Sequence, residues 1–115
     1  GYRKRFLVQT GEKLRKIEIA EIAWFTVLGK GIWLKTFQGN SYPVEMSLEA
    51  LEVVLDPGIF FRINRKYLVS MNSIAAMNAW SRSRIKLELR PKADNELDTV
   101  VSIDRSSAFR KWLNA

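Results

Sequence analysis

The sequence predicts a mostly β domain, and three observations carry that expectation. Apolar residues fall in short clusters, such as Phe6 to Val8, Ile22 to Leu28 and Phe60 to Ile63, and none approaches the ~20 residues needed to span a bilayer. The clusters are rich in β-branched and aromatic residues and are separated by turn chemistry at short intervals. Only two segments place apolar residues at helical spacing. The chain of 115 residues suits one domain, residues 1–115, and its 47% hydrophobic content is enough for a core.

The chain opens on a hairpin. Phe6 to Gln9 is an apolar run, "TGEK" is a turn, and "LRKIEI" alternates at Leu14, Ile17 and Ile19 with one slip. "AEIAWFTVL" reads as a buried strand, broken by "GKG" at Gly29 to Gly31. "IWLKTF" resumes, with Ile32, Leu34 and Thr36 on one face and Trp33, Lys35 and Phe37 on the other. "QGN" turns the chain into "SYPV", where Pro43 predicts an edge strand.

A helix follows. Ser47 is a good N-cap, Leu48, Leu51, Val54 and Leu55 share helical spacing, and "DPG" at Asp56 to Gly58 stops it. Glu45, Glu49, Glu52 and Asp56 make this the most acidic stretch, so the helix is expected on the side away from any polyanion. "IFFRIN", "KYLVS", "SIAAM", "RIKLEL" and "DTVVSI" read as five more extended pieces, with "PKADNE" as a polar loop. "DRSSAFRKWLNA" reads as a second helix, with Asp104 or Ser106 as its cap and Phe109, Trp112 and Leu113 as its apolar stripe. The total is about ten short strands and two short helices.

Composition narrows the chemistry. The absence of cysteine excludes disulfides and thiolate metal sites and fits a cytoplasmic location. The absence of histidine removes the commonest general base and metal ligand. No secretory signal pattern is expected, because "GYRKRFLV" passes straight into alternating sequence. No HExxH, GxSxG, GxxxxGK[ST] or GxGxxG pattern is present, and the carboxylates are scattered. The expectation is therefore a binding module, not an enzyme, with no metal and no cofactor.

A formal charge of +7 suits a polyanionic partner. The cations are grouped: Arg62, Arg65 and Lys66 interrupt an apolar run, Arg82, Arg84, Lys86, Arg90 and Lys92 follow, and Arg105, Arg110 and Lys111 occupy the last helix. Lys30 stands alone at a turn tip. Arg90 and Lys92 read as a solvated face, and Arg110 with Lys111 complement the end of the helix dipole. Cations at turns carry more meaning, because a loop tip can enter a groove and the middle of a sheet face cannot. Most aromatics read as core; Trp33 and Trp80 could instead stack on unpaired bases, although packing is favoured.

Taken in order, "TVLGKGIWLKTFQG", "SLEALEVVL", "FFRINRKYLVSMNSIAAM" and "VSIDRSSAFRKWL" resemble the LytTR-type (LytR/AlgR family) DNA-binding domain of bacterial two-component response regulators. The resemblance covers about Phe6 to Leu113. Its most specific part is the middle block, where the family usually reads F-F-R-I-H-R-S-Y-I-V-N. The resemblance implies an elongated domain with its strands in three antiparallel sheets. It also implies binding to double-stranded DNA through loops that reach successive grooves, on direct repeats and with possible dimerisation. A receiver domain in a longer regulator, of which this chain would be the C-terminal part, is implied as well.

By position, the implied DNA-contacting loops are Gly29 to Ile32 with Lys30 at its tip, Asn64 to Lys66, and Ser102 to Ser106. Asn64 and Lys66 replace the usual His and Ser, and Ile103 and Asp104 intervene before Arg105, where the family often has arginine directly after the serine. The expected DNA-binding residues are Lys30, Asn64, Arg65, Lys66, Arg82, Arg84, Arg105 and Ser106. Arg65 is expected to make a groove contact, pairing bidentately with guanine in the major groove or entering a narrow minor groove, and Asn64 and Lys66 to touch phosphate. Alternation along "FFRIN" turns Arg62 toward a neighbouring strand or carboxylate, a structural role. The alternatives are binding of single strands or RNA, or docking of the basic face on anionic membrane or acidic protein surfaces.

Overall fold

The computed structural model describes residues 1–115. Ten strands run in the order β1 (Arg5–Thr10), β2 (Lys13–Glu18), β3 (Ile22–Leu28), β4 (Gly31–Thr36), β5 (Ser41–Val44), β6 (Phe60–Arg62), β7 (Tyr67–Ser70), β8 (Ile74–Trp80), β9 (Arg84–Leu89) and β10 (Val100–Val101). Helix α1 (Leu48–Val54) lies between β5 and β6, and α2 (Ile103–Leu113) closes the chain. The strands form three antiparallel sheets: β1-β2, β5-β4-β3-β7-β6 and β10-β9-β8. The molecule is elongated, 47 × 31 × 23 Å.

The five-stranded sheet is the middle layer, with an apolar core on each face. One core joins Phe6, Val8 and Ile17 of the hairpin, Leu48, Leu51 and Leu55 of the first helix region, and Ile22, Phe25, Leu34, Phe60 and Leu68 of the sheet. The other joins Trp24, Tyr67 and Val69 to Ile85, Leu87 and Leu89 of β9 and to Phe109 of α2. β3 explains how four consecutive buried residues serve both cores. A register shift between Ile22 and Trp24 against β4 inserts Ala23 as an extra residue. Ile22 and Phe25 then face one core, while Ala23 and Trp24 share the other.

The local readings hold at most elements. Gly11 and Gly29 take positive φ at the turns where the sequence placed them. β5 pairs with β4 alone, so Pro43 does sit on an edge strand. Ser47 caps α1 by accepting from Ala50 N–H at 3.0 Å. The slip in "LRKIEI" is Leu14, which pairs with Gln9 and points outward, 62% exposed.

Three expectations change. α2 begins at Ile103 with Ser102 in the N-cap position, so neither Asp104 nor Ser106 is the cap. The preceding strand is correspondingly short, Val100–Val101, because its neighbours are taken up by a helical turn before it and the helix after it. The acidic helix is also not remote from the basic loops. α1 flanks the edge strand β6, and Glu49 and Glu52 reach Arg62 at 2.7 and 3.0 Å. Those carboxylates neutralise a buried cation, a pairing that the charge count along the chain does not reveal.

Candidate nucleic-acid interface

The loops holding the expected binding residues gather at one end of the molecule, and hydrogen bonds show how. β3 and β7 run antiparallel with Thr26 opposite Tyr67, and Val27 N–H donates to the Lys66 carbonyl at 3.0 Å. The Gly29–Lys30 turn that follows β3 therefore projects from the same end of the sheet as the Asn64–Lys66 loop that precedes β7. Lys30 stands up to about 10 Å beyond Val27, three residues at the strand rise. Ser102 N–H donates to the Ile63 carbonyl at 3.0 Å, and Arg105 Nη1 donates to the Arg62 carbonyl at 3.3 Å. The start of α2 thus sits against the second loop. Ser106 Oγ in turn donates to the Ser83 carbonyl at 3.4 Å, which brings in the β8–β9 turn with Arg82 and Arg84.

Arg62 builds the central loop. Its side chain is only 8% exposed. Nε donates to the Asn64 carbonyl at 2.7 Å and Nη2 to the Arg65 carbonyl at 2.9 Å. Nη1 donates to Glu49 and Glu52. A buried guanidinium requires such saturation, since an unpaired buried charge is expensive. The sequence reading of Arg62 as structural agrees with this geometry. Glu49 is held below the ordinary glutamate range, first by the hydrogen bond from Arg62, then by a backbone hydrogen bond and the charge of Arg62.

Asn64 is equally committed. Its Nδ2 donates to the Asp98 and Val100 carbonyls at 2.8 and 2.9 Å. Its Oδ1 accepts from Lys66 N–H and Tyr67 N–H at 2.8 and 3.0 Å. Both amide donors and both acceptor sites are used inside the fold, so the side chain expected to touch phosphate instead fastens the loop to the strand β10 region. Lys66 Nζ lies 3.4 Å from Asp98 Oδ1, with the lysine 57% exposed.

Arg65 differs from both neighbours. Its carbonyl is held by Arg62, while its exposed side chain takes part in no salt bridge or side-chain hydrogen bond. Lys30 and Arg82 are likewise exposed and outside the ion pairs, which are Arg5–Glu18, Arg62–Glu49, Arg62–Glu52 and Lys66–Asp98. Arg105 and Ser106 are half-buried at the junction of the loops. Arg84 bends back onto Ser81, donating from Nε to the carbonyl at 3.3 Å and from Nη2 to Oγ at 3.2 Å. Sequence reasoning missed the contribution of Asp98 and the Val100 carbonyl; they lie 34 and 36 residues from Asn64, with no local signal to join them.

The aromatic residues separate along the expected line. Trp24 is buried, and Phe61, Phe109 and Trp112 form a cluster with centroids 5.3 to 5.8 Å apart. Trp33 is half-buried on β4. Trp80 at the end of β8 is 42% exposed, with Lys86 Nζ 5.9 Å from its ring centroid. No three acidic side chains converge on a metal-sized site, and no helix is long and apolar enough to cross a membrane.

Three antiparallel sheets with exposed cationic turns gathered at one end make up a β-rich domain whose charge suits a polyanionic partner. A family model, the LytTr DNA-binding domain, matches residues 12–114. The chain belongs to this family, and the implied fold and DNA-binding character follow from that membership. Among solved structures it is similar to the LytTr DNA-binding domain of a Bacillus cereus protein described as a methyl-accepting/DNA response regulator. That match has a TM-score of 0.83 and 19% identity, covering 98% of this chain and 99% of the other. At that identity the likeness shows the fold. Comparison with curated proteins returned no match.

Proposed function

We propose that this chain is the output domain of a bacterial two-component response regulator, acting in the cytoplasm by gripping specific duplex DNA sites with its rim loops. The observation that carries the reading is the convergence of three loops, held together by hydrogen bonds, with Lys30 and Arg65 directed outward and unpaired. Arg65 reads a base edge, since a guanidinium matches guanine bidentately in the major groove. Lys66 exchanges Asp98 for phosphate, because an exposed ion pair is worth under about 1 kcal/mol and is easily traded. Lys30, Arg105 and Ser106 take phosphate from the flanking loops. Asn64 acts at one remove, by holding the backbone that aims Arg65.

In this reading the loops reach successive grooves of one duplex, and two domains sit side by side on direct repeats. A receiver domain elsewhere in the full-length regulator supplies the control. The domain works by binding alone, without metal, cofactor or catalysis. Selection from random duplexes tests this, with a repeated motif at constant spacing as the expected product. A single-strand competitor and anionic vesicles serve as rival ligands in the same assay. Enrichment of no motif, or displacement of duplex by single strands or vesicles at equal charge, refutes the reading.

A further inference from the structure

The β8–β9 turn carries a feature that the three family loops do not explain. Arg82 and Ser83 both have positive φ, 59° and 63°. Neither is glycine or asparagine, and consecutive left-handed residues with side chains are disfavoured by contact between Cβ and the backbone. A turn free to choose its sequence would place Gly or Asn here. Instead it holds an arginine whose side chain is exposed and outside every salt bridge of the molecule. The turn is kept in shape by Arg84, which donates twice to Ser81, and is tied to the start of α2 by Ser106 Oγ on the Ser83 carbonyl. Beside it, Trp80 is exposed with Lys86 near its ring. The strained residues thus lie on the same rim as the loops, next to Ser102–Ser106.

We infer that the Ser81–Ser83 turn is a fourth DNA-contacting element, in which Arg82 takes the sugar–phosphate backbone of the duplex beyond the three loops, with Trp80 packed beside that strand. The inference rests on the duplex-binding reading above. Backbone strain persists where the surrounding contacts over-determine it and where the side chain it presents has a use. A merely solvated turn gains nothing from an unpaired arginine in a disfavoured conformation.

Two variants separate the cation from the strain. Ser83→Gly relieves the backbone and keeps Arg82, so Tm rises by about 2–6 °C while duplex affinity holds. Arg82→Asn tolerates the same φ and removes the charge. Its Tm stays at or above that of the wild type, while affinity for the selected duplex falls roughly three- to tenfold and the salt slope flattens by about 0.9. Fluorescence anisotropy over a salt series, with Arg65→Ala alongside, reads all of this. If Arg82→Asn binds with wild-type affinity and slope while Arg65→Ala is weakened, the fourth contact is overturned and the three-loop reading stands. If neither variant changes duplex binding, both fall.

Discussion

Replacing Arg62 with methionine removes the charge that ties the central loop to α1 and keeps a side chain of similar length. Four hydrogen bonds disappear, to the Asn64 and Arg65 carbonyls and to Glu49 and Glu52. Charge-assisted bonds to the two carbonyls are worth at least about 1.5 kcal/mol each. The carboxylate pairs add less, because Glu49 is 73% exposed and returns to water. The buried methionine stem recovers part of the loss through packing. The net is about 3 kcal/mol of destabilisation, a fall in Tm of roughly 8–15 °C for a domain of this size. Thermal and urea unfolding followed by circular dichroism measures it. Arg62→Lys recovers little, because an ammonium cannot reach two carbonyls and two carboxylates in one plane. Duplex affinity falls in both variants even well below their Tm, since the carbonyls that aim Arg65 are released. Stability within about 0.5 kcal/mol of wild type, with unchanged DNA affinity, would refute the idea that Arg62 organises this loop.

Arg65→Ala should weaken the selected duplex by about 1–3 kcal/mol and relax preference at one base position, read by anisotropy on single-substitution duplexes, with Tm unchanged. Lys66→Ala should weaken all duplexes alike and flatten the salt slope by about 0.9, whereas a loss confined to one sequence would contradict its phosphate role. Phe109→Ala, at a fully buried position where α2 meets the second core, should cost about 3–5 kcal/mol in urea unfolding. Acid should weaken the fold through Glu49. Its folded pKa is depressed, so the stability it contributes is present above the ordinary glutamate range and is lost as pH falls through the folded value. Wild-type Tm should therefore drop more steeply than that of Arg62→Met as pH falls through that range; parallel curves would exclude the Arg62–Glu49 pair as the cause.

Sequence by itself determined the local elements and the chemistry of the rim. Period-two alternation sorted Ile32 and Leu34 from Trp33 and Lys35, glycines marked turns, Ser47 and the leucine spacing marked α1, and cations marked the turns that gather at one end of the molecule. These features are legible because each depends on residues within a few positions of one another. Only the tertiary structure decided which of the polar groups remain available. Asn64 looked as free as Arg65, yet its amide is consumed by carbonyls 34 and 36 residues away, while Arg65 keeps its donors. Alternation turns Arg62 toward a strand or carboxylate, and packing across the edge strand decides that its partners are Glu49 and Glu52 of the acidic helix. Hydrogen-bond saturation and charge pairing are set by distance in space. A linear chain specifies a side chain's donors, and only the packed molecule settles what they meet.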